Sequence, residues 1–275
     1  MMSESTIKSM QLYSHVDRIY NDLRNAGIKA DDPLSVDVLV RFDQLHYFGT
    51  DAVDEAIRLA NIDEQSHILD VGSGLGGPAR YLADRTGCQV FAVELQRDMD
   101  EVARSLTKRC GLDELIEHVC GDIHETPIAA STFDAIVSWL AIYHIPDQRA
   151  LFSRLHQSMK SGGRIYFEDL FGNDDFTDSE QKEVNELLYG EHLRSKQQYV
   201  DDLSHAGFVD IQFEDMTEAW QPFVAERLKQ YRANRKKNID VHGEGVVAAL
   251  DGFYEVVARL LKGGKLRGTR VTASA

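Results

Sequence analysis

The chain has 275 residues, 43% of them hydrophobic, and a formal net charge of −15. That length suits one large domain, or one domain with a smaller cap, with ample material to bury a core. The acidic average field repels a phosphate backbone and argues against a nucleic-acid partner, and no apolar run reaches the length of a membrane span.

At the start, Met1-Met2-Ser3-Glu4-Ser5 lacks the basic and apolar regions of a signal peptide. Cys88, Cys110 and Cys120 are odd in number, and their spacing suits neither a zinc site nor a disulfide framework. They read as reduced thiols, and the expected location is cytoplasmic. Ile7, Met10, Leu12, Val16, Ile19, Tyr20 and Leu23 recur at helical spacing and predict a helix over 3–26, closed by Gly27. Asp31-Asp32-Pro33 forms a turn, Ser35 caps a helix over 35–46, and Gly49 breaks it before Thr50 begins another through about Ala60.

From residue 67 onward, strands and helices alternate. Strand 67–71, helix 77–86, strand 89–93, helix 97–110, strands 116–120 and 133–138, helix 147–159 and strand 163–168 predict an α/β, doubly wound sheet with right-handed crossovers. Residues 172–206 read as a mostly helical, charged insertion, capped at Thr177 or Asp178, that roofs a cavity. Val209 to Phe213 makes a sixth strand, helices near 218–236 and 244–262 follow, and 268–273 is β-prone. The basic run Arg232, Arg235, Lys236 and Lys237, near Glu226, reads as a solvated helix end.

The most informative stretch is His67-Ile68-Leu69-Asp70-Val71-Gly72-Ser73-Gly74-Leu75-Gly76-Gly77. An apolar strand enters a Gly-rich turn that opens a helix, which brings bare backbone and unpaired N–H groups close to a ligand. Twenty-four residues after Asp70, the next strand ends in Glu94, an acid placed to accept both hydroxyls of a ribose. Gly72, Gly74 and Gly77 fit the dinucleotide pattern G-x-G-x-x-G; Asp70, Gly72, Gly74 and Gly76 equally fit D-x-G-x-G-x-G.

The second pattern resembles motif I of the class I S-adenosylmethionine (SAM)-dependent methyltransferases. Gly121-Asp122 after the third strand, Ser138-Trp139-Leu140 after the fourth, and Leu155 to Gly163, similar to the family's L-K-P-G-G turn with Ser161 for Pro, extend the likeness over roughly residues 45–215. The resemblance implies a seven-stranded, Rossmann-like sheet with 268–273 as its antiparallel seventh strand. It implies an N-terminal helical lid over 1–60, and a core over 61–275 with a helical substrate cap at about 172–206 and 218–262. It implies SAM as cofactor and S-adenosylhomocysteine as product, with no metal. Asp70, Gly72, Ser73, Gly74 and Gly76 would form the cradle, with Glu94 on the ribose and Leu95 and Gln96 flanking. Asp122 and Ile123 would take the adenine, and Trp139 begins the substrate-facing loop.

Methyl transfer needs alignment in a dry pocket more than it needs a base. His144, in Trp139-Leu140-Ala141-Ile142-Tyr143-His144, resembles the histidine in the L-H-I of small-molecule N-methyltransferases acting on sarcosine, dimethylglycine or phosphoethanolamine, and imidazole titrates near neutrality. Phe42-Asp43-Gln44-Leu45-His46-Tyr47-Phe48-Gly49 resembles the segment that closes over cofactor and acceptor. His144 and Tyr47 are therefore the candidate catalytic residues, and His46, Tyr143, Asp169, Tyr189 and Trp220 the candidate substrate contacts. Asp169 or Glu168 would pair with a cationic amine, and Tyr166, Tyr189, Trp220, Phe253 and Tyr254 could enclose it through cation–π contacts. The resulting expectation is SAM-dependent methylation of a small molecule at an amine nitrogen, the partners being that acceptor and at most a second copy in a homodimer. An O- or C-methyltransferase of a natural product would use the same cradle. A nicotinamide-dependent oxidoreductase would add a second nucleotide-binding half or a Tyr-x-x-x-Lys pair, and Tyr199 is followed four positions later by Leu203. An inactive binding protein would lack the pocket acids, which this chain keeps.

Overall fold

A computed structural model describes residues 15–172 and 175–275, so Ile7, Met10 and Leu12 of the first expected helix lie outside the described residues. Three helices come first: α1 (Arg18–Asn25), α2 (Val36–Leu39) and α3 (Thr50–Ala60). The alternating part runs β1 (His67–Val71), α4 (Gly77–Thr86), β2 (Gln89–Glu94), α5 (Arg97–Arg109), β3 (Ile116–Cys120), β4 (Phe133–Trp139), α6 (Gln148–Ser158) and β5 (Met159–Gly172). Then come α7 (Asp178–Leu187), α8 (Lys196–Ala206), β6 (Val209–Asp215), α9 (Thr217–Ala233), α10 (Arg235–His242), α11 (Glu244–Lys262) and β7 (Leu266–Ser274).

The seven strands form one sheet in the order β3-β2-β1-β4-β5-β7-β6. β1 to β5 pair in parallel, while β7 runs antiparallel between β5 and β6. Side chains alternate across each strand. Ile68, Val90, Ala92 and Val137 pack toward Val53, Ala56, Ala79 and Leu82 of α3 and α4. Leu69, Val93, Ile136 and Phe167 pack on the other face toward Phe152 and Leu155 of α6 and Tyr199 and Leu203 of α8. From β1 the chain moves outward to β2 and β3, then returns to place β4 on the other side. This reversal opens a crevice beyond the carboxyl ends of β1 and β4, where ligands bind in open α/β sheets.

Several expectations need correction. The helix over 35–46 is only Val36–Leu39; residues 40–49 form turns, ending at Phe48 with a φ of 59°. Their side chains reach separate partners: Asp43 meets Arg80, His46 lies against Trp139 and Tyr47 against Trp220. The fifth strand runs over 159–172 rather than 163–168: Met159 pairs with Phe133 of β4, and β7 offers residues 164–172 a long antiparallel partner. The helix near 218–236 is two helices that part at Asn234. The roof expected over 172–206 is narrower: Leu188 lines the cavity, while α8 is an ordinary layer helix packed on α6 and β6. Thr177 does cap α7, in a reciprocal box with Glu180. No helix among the described residues is long and apolar enough to cross a membrane.

A fully buried ion pair joins the N-terminal segment to this core. Arg80 of α4 and Asp43 are both buried, with Nη2 2.9 Å from Oδ2. Asp43→Ala would leave the guanidinium uncompensated and should cost about 3–5 kcal/mol of stability, by urea denaturation. Asp43→Ala combined with Arg80→Met should recover most of that loss. A small effect of Asp43→Ala alone would show that water or another group can replace the carboxylate.

Candidate active site

The crevice holds a cavity of about 550 Å³, ordinary for a small-molecule site. Its floor is the Gly-rich turn. Gly72 has a φ of +73°, and a Cβ there would lie 2.4 Å from Ala141 Cβ, so only glycine lets the turn pass the loop after β4. Gly72, Ser73 and Gly74 line the cavity; Gly76 does not, and stands behind the turn against the Arg80 guanidinium.

Glu94 ends β2 at the cavity wall. Its two carboxylate oxygens accept the backbone N–H groups of Gly74 at 2.9 Å and Gln96 at 2.8 Å. These bonds fix both oxygens while leaving further lone pairs for a ligand. Burial raises the Glu94 pKa and the two amides oppose it. Asp70 is also buried, and burial, reinforced by the nearby Glu94 charge, pushes it up to about 8. Among the described residues, Asp70 Oδ2, Ser73 Oγ and Gln96 Oε1 are buried without a hydrogen-bond partner, and all three residues line the cavity. Buried polar atoms are rarely left so, and three in one concavity mark the place of a polar ligand. Leu95, Asp122 and Ile123 continue this wall, and Asp122 Oδ1 accepts the His124 N–H at 2.8 Å. Trp139, whose indole Nε1 has no partner among the described residues, closes it from β4.

The opposite wall carries the two candidate catalytic residues. Tyr47 is buried, edge-on to Trp220 at 4.6 Å, with the Arg227 guanidinium over its ring at 4.8 Å. Burial raises its hydroxyl pKa against the pull of Arg227, so the group stays protonated and can donate. His144 lies 3.8 Å from the Tyr143 ring, and its Nδ1 is 3.1 Å from the Tyr189 carbonyl. That partner requires the proton on Nδ1 and leaves Nε2 an acceptor. Burial pushes His144 down to about 4, so the expectation of titration near neutrality is corrected: the ring is uncharged at pH 7. His46 Nε2–H donates to the Gly49 carbonyl at 3.0 Å, and burial takes this ring to about 4 too.

Three expected substrate contacts lie elsewhere. Asp169 is fully buried off the cavity, accepting the Tyr199 hydroxyl at 2.9 Å and the Leu170 N–H at 2.9 Å. Trp220 is packed on the backbone of Gly268 behind Tyr47, and Tyr189 meets His144 through its carbonyl. Glu168 pairs with Arg270 at 2.8 Å and accepts the Tyr166 hydroxyl at 2.7 Å. Of the aromatic set expected around a cationic amine, Phe253 and Tyr254 line the cavity, whereas Tyr166, Tyr189 and Trp220 do not, and Tyr254 and Tyr47 hold a cation of the chain itself, Arg227. Sequence reasoning missed Arg227, which has no signal beyond one basic residue in a helix, and Arg80, which stood out only as a lone charge in the apolar run Pro78 to Ala83.

Residues 69–167 match a family model described as a methyltransferase domain. The chain is 32% identical over 164 residues to a sarcosine/dimethylglycine N-methyltransferase of Halorhodospira halochloris, covering 58% of this chain and 59% of that protein. It is 27% identical over 191 residues to phosphoethanolamine N-methyltransferase 1 of Arabidopsis thaliana, covering 70% of this chain and 38% of that one. The chain thus spans less than two thirds of each relative. The structure resembles Haemonchus contortus phosphoethanolamine N-methyltransferase 2, solved with S-adenosyl-L-methionine, at a TM-score of 0.79 and 20% identity, over 93% of this chain and 59% of that one. At that identity the likeness shows the fold, which is the class I methyltransferase sheet.

The raised Asp70 pKa has a consequence for stability. The native state holds a proton that the unfolded chain releases near pH 4, so this contribution is present below about pH 4 and fades as pH rises through about 8. Asp70→Asn removes the titration. The variant should gain stability relative to wild type between pH 5 and pH 8, in urea denaturation at both values. A constant difference would mean that Asp70 is ionised throughout.

Proposed function

We propose that the chain is an N-methyltransferase that uses SAM as methyl donor and a small amine as acceptor. The observation that carries this reading is the pairing of two carboxylates, Asp70 and Glu94, with unpartnered polar atoms on one wall of a cavity whose other wall holds Tyr47 and His144. This set fits an adenosine joined to an amino acid. Glu94 would accept the ribose hydroxyls, Asp122 and Ile123 would meet the adenine, and Asp70 would take the amino group of the methionine part. Bound SAM supplies a methyl group on a positively charged sulfur, an electrophile that needs no further activation.

The chain then has to position the acceptor nitrogen and keep water out. Tyr47 offers a protonated hydroxyl, and His144 offers Nε2 as an acceptor for an amine N–H. As a base His144 is poorly matched. An alkylammonium titrates at about 10.4, so moving its proton to a ring at about 4 would cost about 9 kcal/mol. His144 is thus a positioning residue, and the acceptor enters as its free base. We also place the chain in the cytoplasm, a reading supported by Cys88 and Cys110, which stand as thiols among the described residues.

S-adenosylhomocysteine should raise the melting temperature and NAD should not, since a ligand of the native state stabilises by mass action. Glu94→Ala should weaken S-adenosylhomocysteine about tenfold or more in calorimetry, the loss of a charge-assisted contact worth roughly 1.5–3 kcal/mol. Stabilisation by NAD alone, or unchanged affinity in the variant, would contradict the cofactor assignment. For His144→Ala, turnover should fall while the pH–rate profile keeps its shape, rising toward the pKa of the amine in both proteins. Loss of an acidic limb in the variant would restore the role of base.

A further inference from the structure

Gln44 lines the cavity from the segment that crosses the Gly-rich turn, three residues before Tyr47. The segment lies close on the turn. A Cβ on Gly74 would lie 3.9 Å from Leu45 Cδ1, and one on Gly77 would lie 2.9 Å from Gln44 Nε2. The preceding residue fixes the orientation of the Gln44 amide. Asp43 Oδ2 accepts Arg80 Nη2–H at 2.9 Å, and Asp43 Oδ1 accepts Gln44 Nε2–H at 3.0 Å. The two ends of a side-chain amide are told apart by their partners, and a carboxylate oxygen takes only the nitrogen end. Gln44 Oε1 is therefore the end left over. It is buried and has no hydrogen-bond partner among the described residues. A buried amide oxygen in that state calls for a donor, and here the donor has to come from a ligand.

The surrounding chemistry narrows the donor. Asp70 stands in β1 just before the same turn, and its buried Oδ2 is likewise unpartnered among the described residues. An ionised carboxylate and an amide oxygen can only accept, so the two together suit a group that carries several N–H donors. SAM has two N–H groups, the adenine amino group and the ammonium of its methionine part. Asp122 and Ile123, read as the adenine contacts, follow β3, whereas Gln44 and Leu45 pack on the turn between β1 and α4. The position of Gln44 therefore matches the ammonium. We propose that Gln44 Oε1 accepts an N–H of that ammonium beside Asp70, and so makes the protein select a methyl donor with a free amino group. Gln44 lies outside residues 69–167, which match the methyltransferase domain family, so this contact is an addition made by the N-terminal segment. The inference rests on the SAM reading above and deepens it: the cofactor braces the segment that presents Tyr47.

The test is a calorimetric cycle that removes the amide from the protein and the amino group from the ligand. The ligands are S-adenosylhomocysteine, its desamino analogue, and methylthioadenosine, which keeps the adenosine and sulfur but lacks the amino-acid part. Gln44→Met should weaken S-adenosylhomocysteine by about tenfold or more, the loss expected for a hydrogen bond to a charged group. The desamino analogue and methylthioadenosine should stay within about threefold of their wild-type affinities, because the group that Gln44 meets is absent from both. Unchanged methylthioadenosine binding also shows that the variant folds with its adenosine site intact. Gln44→Ala, which lets water reach Asp43, should repeat the pattern, so a packing defect peculiar to methionine does not decide the result. The proposal is overturned if S-adenosylhomocysteine affinity is unchanged in both variants, or if the desamino analogue is weakened as much as S-adenosylhomocysteine. It is also overturned if both variants lose methylthioadenosine, since Gln44 would then serve the fold or the adenosine. If wild type binds neither S-adenosylhomocysteine nor methylthioadenosine, the SAM reading itself fails.

Discussion

The buried guanidinium of Arg80 is the constraint on which the site is built. It bonds Asp43 Oδ2 at 2.9 Å, the Leu75 carbonyl of the Gly-rich turn at 2.7 Å, and the Ala103 carbonyl and Thr107 hydroxyl of α5 at 3.2 Å each. Thr107 passes the connection to His118 of β3 at 2.8 Å. A charge removed from water is tolerable only when its partners are held in place, and here they come from three separate parts of the chain. The turn that would meet the cofactor and the segment bearing His46 and Tyr47 are therefore held by one group. Gly77 belongs to the same joint: a Cβ there would lie 2.4 Å from the Asp43 carbonyl oxygen, so the segment can dock only on bare backbone.

Beyond that joint, the sheet supplies acids, while Arg18 and Arg41 of the N-terminal segment and Arg227 of α9 supply cations. Burial raises the Asp70 and Glu94 pKa values, so the protein holds carboxyl groups that favour a partner with positive charge. A sulfonium or ammonium in the cavity would return both toward their ionised form. Across the cavity, Arg227 is held by the rings of Tyr47 and Tyr254. The two halves differ in origin as well. The acids stand on or just after the strands of residues 67–122, within the stretch that matches the methyltransferase domain family at 69–167. Arg227 and Tyr254 come from helices between β6 and β7, beyond it. A fold can serve many ligands when one wall of its cavity comes from the sheet ends and the other from added helices.

Much of the sheet was legible because buried parallel strands are apolar runs bounded by turn residues, and β1 to β4 match their expected spans within a residue. The full extent of β5 was not, since it depends on pairing with β7 about a hundred residues later. The cradle residues were legible from local spacing, apart from Gly76, which serves the turn rather than the cavity. The acceptor side was largely hidden. Asp169 reads as an acid at a strand end like Glu94, yet β5 runs on to Gly172, and the side chain points into the helix layer and meets Tyr199. Residues 40–49 carried helical spacing but are shaped by three tertiary contacts that no local pattern encodes.

The central claim is that one cavity holds an adenosyl cofactor against Glu94 and presents its sulfur toward Tyr47. A crystal structure of the protein with S-adenosylhomocysteine tests this most directly. The account predicts the ribose hydroxyls on the Glu94 carboxylate, the amino group at Asp70 and the sulfur facing the Tyr47 and His144 wall. A ligand lying outside this cavity, or one bound in it with its ribose away from Glu94, would contradict the account.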